Sequence, residues 1–190
     1  MGFKLKTAPT EEPVTLAEAK VQCHMDADIT AEDELLNLYI KAARKHVEAV
    51  TRRPLITQTW TWYGDCFDGD IELKPNLRSI TSIKYIDTDG NQQTIDDANY
   101  KADTVEVVGV AYPAYGYSWP YARNVTNAIE VEFSAGYGDA ADVPEEIKQA
   151  MLLMIGHWYQ NRESVTVGVS LTETPQGSDM LIGPYKVISF

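Results

Sequence analysis

The hydrophobic positions change period twice along the chain. From Leu36, apolar residues recur at Ile40, Ala43, Val47 and Val50, alternately four and three positions apart, which sets them on one face of a helix. Pro54 stops that helix, because proline lacks an amide hydrogen and clashes with the turn before it. Leu35, Tyr39 and Ala42 widen the stripe, so burial on more than one side is expected. The start is signalled at Thr30-Ala31-Glu32-Asp33, with acids where the positive end of the helix favours them. Upstream, Thr15-Leu16-Ala17-Glu18 has the form of a capping box opening a short helix to about Gln22.

From about Leu55 to Tyr137 the period drops to two. Ile56, Gln58, Trp60 and Trp62 alternate with Thr57, Thr59, Thr61 and Tyr63, a composition suited to a pleated, half-buried strand. Ile80 to Asp87 reads as a second strand, turned by Asp89-Gly90 into Gln92 to Ile95. Thr104 to Tyr112 and Ala128 to Phe133 complete the set. In the last, Ile129, Val131 and Phe133 oppose Glu130 and Glu132. Short strands at regular turns imply an antiparallel β module. Tyr112 to Tyr121 reads as a loop with aromatic anchors.

The helical period returns at Asp142-Val143-Pro144-Glu145-Glu146, where proline and acids suit a helix start. Ile147, Met151, Met154, Ile155 and Trp158 form its apolar face, and it ends near Asn161-Arg162-Glu163. Ser164 to Asp179 is polar and without strong period. An apolar terminus follows, containing Met180, Leu181, Ile182, Tyr185, Val187, Ile188 and Phe190, and is expected to dock, on a partner or on the parent domain. The fold class is therefore α+β: a helical bundle from both ends of the chain with an inserted antiparallel β module. Leu36, Ile40, Val47, Ile147, Met151, Ile155 and Trp158 should be its buried helical positions.

Composition narrows the function classes. The 190 residues fit one domain, or one domain carrying a sizeable insertion, and 44% hydrophobic and 23% charged residues are ordinary for a globular protein. Cys23 and Cys66 make no disulfide framework, and the longest apolar run, Met151 to Ile155, is too short to cross a bilayer. A net charge of −12 argues against binding nucleic acid by phosphate neutralisation. The best basic cluster is Lys41, Arg44, Lys45, His46, Arg52 and Arg53, and its second-half helical position suggests compensation of the macrodipole.

Candidate chemistry is sparse. His24, His46 and His157 have no metal-type spacing, and neither cysteine has a Cys-x-x-Cys partner. Asp65, Asp68 and Asp70 cluster around Gly69. Asp87, Asp89, Gly90 and Asp96 match part of a calcium loop, but Tyr85 stands at its first ligand position, so a hairpin turn explains them better. No nucleophile motif is present. No cofactor, no metal and no catalytic residue is expected. Paired carboxylates could still be drawn for a hydrolase, but 28 acids make such pairs uninformative.

The ordered segments Thr15-Leu16-Ala17-Glu18-Ala19-Lys20, Asp33-Glu34-Leu35-Leu36, Thr51-Arg52-Arg53-Pro54-Leu55-Ile56-Thr57-Gln58-Thr59-Trp60 and Ile147 to Glu163 resemble the phage head–tail connector, or adaptor, family in its longer gp6-like and gp8-like forms. The likeness spans roughly residues 14 to 163. It implies one connector domain over 1–190, helical at 14–53 and 142–163, with a β insertion at about 55–137 and a C-terminal extension at 164–190. It further implies a ring of copies, twelvefold in the particle, attached to the portal protein and extending the DNA channel towards a tail or stopper protein. DNA would pass without sequence-specific contact, and no membrane is involved. The expected place is the virion neck, and the bacterial host cytoplasm during assembly. By the same resemblance, Met180, Leu181, Ile182, Tyr185, Val187, Ile188 and Phe190 would grip the portal. The alternative is a tail-completion or other soluble phage adaptor that does not contact the portal.

Overall fold

The computed structural model describes residues 2–162 and 176–187, which form two compact units. One comprises residues 1–9 and 57–137, the other 10–56 and 138–190. The architecture is mixed, with four α-helices and antiparallel sheets among the described residues.

The first unit holds eight strands: β1 (Gly2–Thr7), β2 (Gln58–Gly64), β3 (Ile71–Pro75), β4 (Leu77–Ile86), β5 (Gln92–Ile95), β6 (Tyr100–Asp103), β7 (Val108–Pro113) and β8 (Ile129–Ala135). They make a five-stranded sheet in the order β1-β2-β8-β4-β5 and a three-stranded sheet β3-β7-β6. Register follows the apolar alternation. Trp62 pairs with Val131, Val131 with Ile83, and Ile83 with Ile95, giving one buried row across four strands. The second sheet adds Ile71, Leu73, Tyr100 and Ala111 to the same core. Gly109 in β7 allows its close approach, because a side chain there would collide with Leu77.

Several strand expectations require adjustment. The opening Gly-Phe-Lys-Leu-Lys-Thr, to which the sequence pattern above gives no element, is an edge strand held by β2. The stretch from Thr104 is not one strand. Residues 104–107 form a turn between β6 and β7, where Asp103 accepts a hydrogen bond from the Val105 amide at 2.8 Å. The Asp89-Gly90 hairpin is as expected. One Asp87 oxygen accepts from the amides of Asp89 and Asn91, and the other from the Gln93 side chain. Those bonds hold the Asp87 carboxyl below its ordinary pKa.

The second unit contains α1 (Leu16–Gln22), α2 (Asp33–Thr51), α3 (Glu145–Gln160) and α4 (Gln176–Ile182). α1 packs on α2 and α3, α2 on α3, and α3 on α4. The capping box is complete: Thr15 accepts from the Glu18 amide while Glu18 accepts from the Thr15 amide. Leu36, Ile40, Val47, Ile147, Met151 and Ile155 are buried. Trp158 is half-buried, its ring edge-on to Tyr39 at 6.1 Å. Ala42, placed above in the buried stripe, is exposed.

Buried charge joins the connecting segments to these helices. Lys20 is 5% exposed and pairs with Asp33 at 2.6 Å, while its ammonium also donates to the carbonyls of Ala27 and Ile29. It thereby fixes the loop between α1 and α2. Arg44 is similarly buried and bridges Glu12 and Glu48 at 2.7 and 2.8 Å. The macrodipole reading of the basic cluster thus needs correction. No basic residue lies in the last turn of α2, and Arg44 is an internal clamp.

Candidate assembly surfaces

Cys23 and His24 lie in the helical unit and Cys66 in the β unit. Among the described residues no group of three His, Cys, Asp or Glu side chains is arranged to hold a metal ion. No described helix is long and apolar enough to cross a membrane. Three surface regions differ from an ordinary solvated face.

The first is the C-terminal segment. Ile182 is fully buried within the helical unit, with Leu181, Tyr185 and Val187 partly covered. The Tyr185 carbonyl accepts from Arg53 at 2.8 Å, its hydroxyl donates to Glu146 at 3.1 Å, and the Val187 amide donates to the Thr51 carbonyl. Met180 is the exception, at 77% exposed. Ile188 and Phe190 lie outside the described residues, as does 163–175 of the polar stretch before α4. Of the seven apolar residues assigned to this region, one is thus sealed inside its own unit and one points to solvent.

The second region is the outer face of α2. Leu38, Lys41, Ala42, Lys45 and Ala49 are all exposed, and their spacings of three, four and seven align them on one stripe. Leu38 is 61% exposed. Lys41 and Lys45 have no ion-pair partner among the described residues. Glu34 begins the same stripe two turns before Lys41, so the positive charge belongs to its later part.

The third region surrounds Cys66 in the β unit. On one side is an open cleft of about 180 Å³ lined by Phe67, Pro120, Tyr121, Ala122 and Asn124. On the other a cleft of about 260 Å³ is lined by Trp62, Asp68, Asp70, Ile71 and Glu72. The loop between β7 and β8 is fixed here by Trp119, whose ring stacks on Phe67 at 4.9 Å and whose indole N–H donates to the Gly69 carbonyl. Tyr121 is nevertheless 80% exposed, and Asp68, Asp70 and Glu72 are exposed without an ion-pair partner among the described residues. The sequence pointed to aromatic anchors in this loop, and Trp119 is one. It did not show that the Asp65–Asp70 turn and the aromatic loop share a surface, because their separation of about 50 residues is closed by tertiary contacts, the Trp119 indole on the Gly69 carbonyl and its ring on Phe67.

Comparison with known proteins bears on both units. The sequence model of the phage gp6-like head-tail connector protein family matches residues 13–106 and 121–186. No match was found among curated proteins. Among solved structures, a chain in the neck of an empty gene transfer agent (GTA) particle, computed with C6 symmetry, is 21% identical with a TM-score of 0.81. A chain in the virion of the native gene transfer agent particle is 21% identical with a TM-score of 0.80, and one in the neck of the native particle, computed with C12 symmetry, is 20% identical with a TM-score of 0.74. Each comparison covers 100% of the present chain and 97% of the other, so the likeness in fold includes both units.

Proposed function

The chain belongs to the phage gp6-like head-tail connector family, and from that premise we propose that it forms a closed ring, attaches to the portal and extends the DNA channel towards the tail. As a connector it is a structural protein of a phage-like particle and not an enzyme. The observation that carries the proposal is the family match across residues of both units, 13–106 and 121–186. The neck assemblies that contain chains of the same fold, computed with C6 and C12 symmetry, support a ring. Twelve copies is the proposed number in the particle.

The physical features agree with this reading. Subunits in a ring present two different faces to two neighbours, a heterologous contact that closes by rotation. The α2 stripe and the surface around Cys66 are two unlike faces on one chain. A net charge of −12 keeps DNA phosphates from adhering to the protein as they pass. The four helices act as one bundle that carries the C-terminal segment. Met180 then contacts the portal, while Ile182, Tyr185 and Val187 hold the segment on its own unit; Leu181 stands between these roles. The neck of the virion is the site of action, reached after assembly in the bacterial cytoplasm, with a tail or stopper protein bound beyond.

The test is native mass spectrometry of the chain mixed with its own portal. A symmetric complex with one connector ring per portal is expected. Binding to tail components but never to the portal would favour a tail-completion adaptor. Absence of any association at micromolar concentration, with both proteins folded, would overturn the assignment.

A further inference from the structure

We propose that copies join by seating the α2 stripe of one, Leu38, Lys41 and Lys45, on the acidic and aromatic surface around Cys66 of the next, Asp68, Asp70, Glu72 and Tyr121. This rests on the ring reading and names the contact that makes the ring. The occupant follows from charge. A protein carrying −12 repels its own copies unless a positive face meets a negative one. The stripe supplies an exposed leucine and two lysines without an ion-pair partner among the described residues. The surface around Cys66 supplies, on one side, three carboxylates without an ion-pair partner among the described residues, and an exposed tyrosine on the other.

Shape and rigidity favour the same pairing. Ala42 and Ala49 lie beside the lysines, so the helix backbone can approach another surface closely. The tyrosine side is held in place by the stacked Phe67 and Trp119 rings, so little order is lost on binding. Tyr121 offers a ring face to a lysine or an apolar edge to Leu38. Lys74 shares the outer face of β3 with Glu72, but its ammonium already lies over the rings of Trp60 and Phe3, at 4.3 and 4.8 Å. The contact is heterologous: each copy gives its stripe to one neighbour and its acidic surface to the other.

Charge exchange tests the contact separately from the ring. One variant carries K41E and K45E; a second carries D68K, D70K and E72K. All five positions are exposed, and circular dichroism with thermal melting establishes that both variants are folded. The wild type is first shown to form rings, alone or on the portal; if it does not, the ring reading itself fails and this contact with it. Each variant alone should then require at least roughly tenfold more protein to assemble. An equal mixture should regain rings, built of strictly alternating copies and therefore even in number. A chain carrying all five changes should also regain them. Wild-type-like rings from either variant alone would overturn the proposal, as would folded variants that fail to assemble when mixed.

Discussion

The two units solve the same problem with different materials. The β unit's core is a continuous apolar set contributed by two sheets, with Trp62, Ile83, Val131 and Phe133 at its centre. Its buried polar groups, Gln58 and Thr61, are uncharged. In the helical unit the apolar faces of α2 and α3 meet, but the segments around them are fixed by buried cations, Lys20 and Arg44. A sheet satisfies its backbone from strand to strand, so its remaining need is apolar contact. Short helices leave loops and end groups to be satisfied; here Lys20 donates to the loop carbonyls of Ala27 and Ile29, and Arg44 ties Glu12, in the segment before α1, to Glu48 of α2. The helical unit therefore depends on electrostatics at places where the β unit depends on packing.

The difference is sharpest when each unit loses its characteristic contact. Phe133→Ala removes a fully buried ring that pairs with Trp60 and meets Phe3 edge-on at 6.2 Å. It should cost about 3–5 kcal/mol, measured by chemical denaturation, with little dependence on salt. Arg44→Ala should cost about 2–4 kcal/mol, because the Glu12 and Glu48 carboxylates lose the buried guanidinium that bridges them. High salt should narrow the gap between this variant and wild type, whereas the Phe133 penalty should persist.

The C-terminal segment extends the comparison to the junction between stability and assembly. Ile182→Ala should lower stability by about 2–5 kcal/mol, since the side chain is sealed within the helical unit. Met180→Ala should change stability by no more than about 0.5 kcal/mol, as a neutral surface change does, while weakening portal binding. If Met180→Ala binds portal as wild type does, the exposed side chain has no part in that contact.

The smallest effect lies at the start of α1. Thr15→Ala should cost about 1 kcal/mol by removing the cap. The Thr15 hydroxyl, followed by its backbone amide, holds the Glu18 carboxyl below the usual glutamate range. A depressed folded pKa contributes stability in full above the ordinary glutamate value and loses it as pH falls through the folded value. The difference between Thr15→Ala and wild type should therefore be largest near neutrality and shrink in acid. A penalty that stays constant through the carboxylate range would show that the Glu18 charge contributes nothing to the cap.

How much of this was legible in the sequence varies with the cause of each element. The α1 capping box, the buried faces of α2 and α3 and the alternation of β8 are local patterns, and each appears where the residues indicate. β1 alternates too, as Phe3 and Leu5 between Lys4 and Lys6, but six residues of pattern become a strand only because β2 offers an edge. β3 follows an acidic turn and ends on proline, and its partner β7 is more than thirty residues away. The division of the strands into two sheets is likewise a long-range outcome. The role of Arg44 is not local, because sequence position shows helix phase but not the carboxylate of Glu12, which arrives from before α1. The candidate surfaces were only partly legible, since exposure on α2 depends on which flank α1 and α3 leave open.

Closure of this connector into a ring on its portal is tested most directly by electron microscopy of the purified chain mixed with that portal. Class averages down the channel axis should show a closed ring of connector density with the portal's rotational symmetry, twelvefold in the particle-derived form. Portals that remain bare at micromolar connector, or that carry isolated copies with no contact between neighbours, would contradict it.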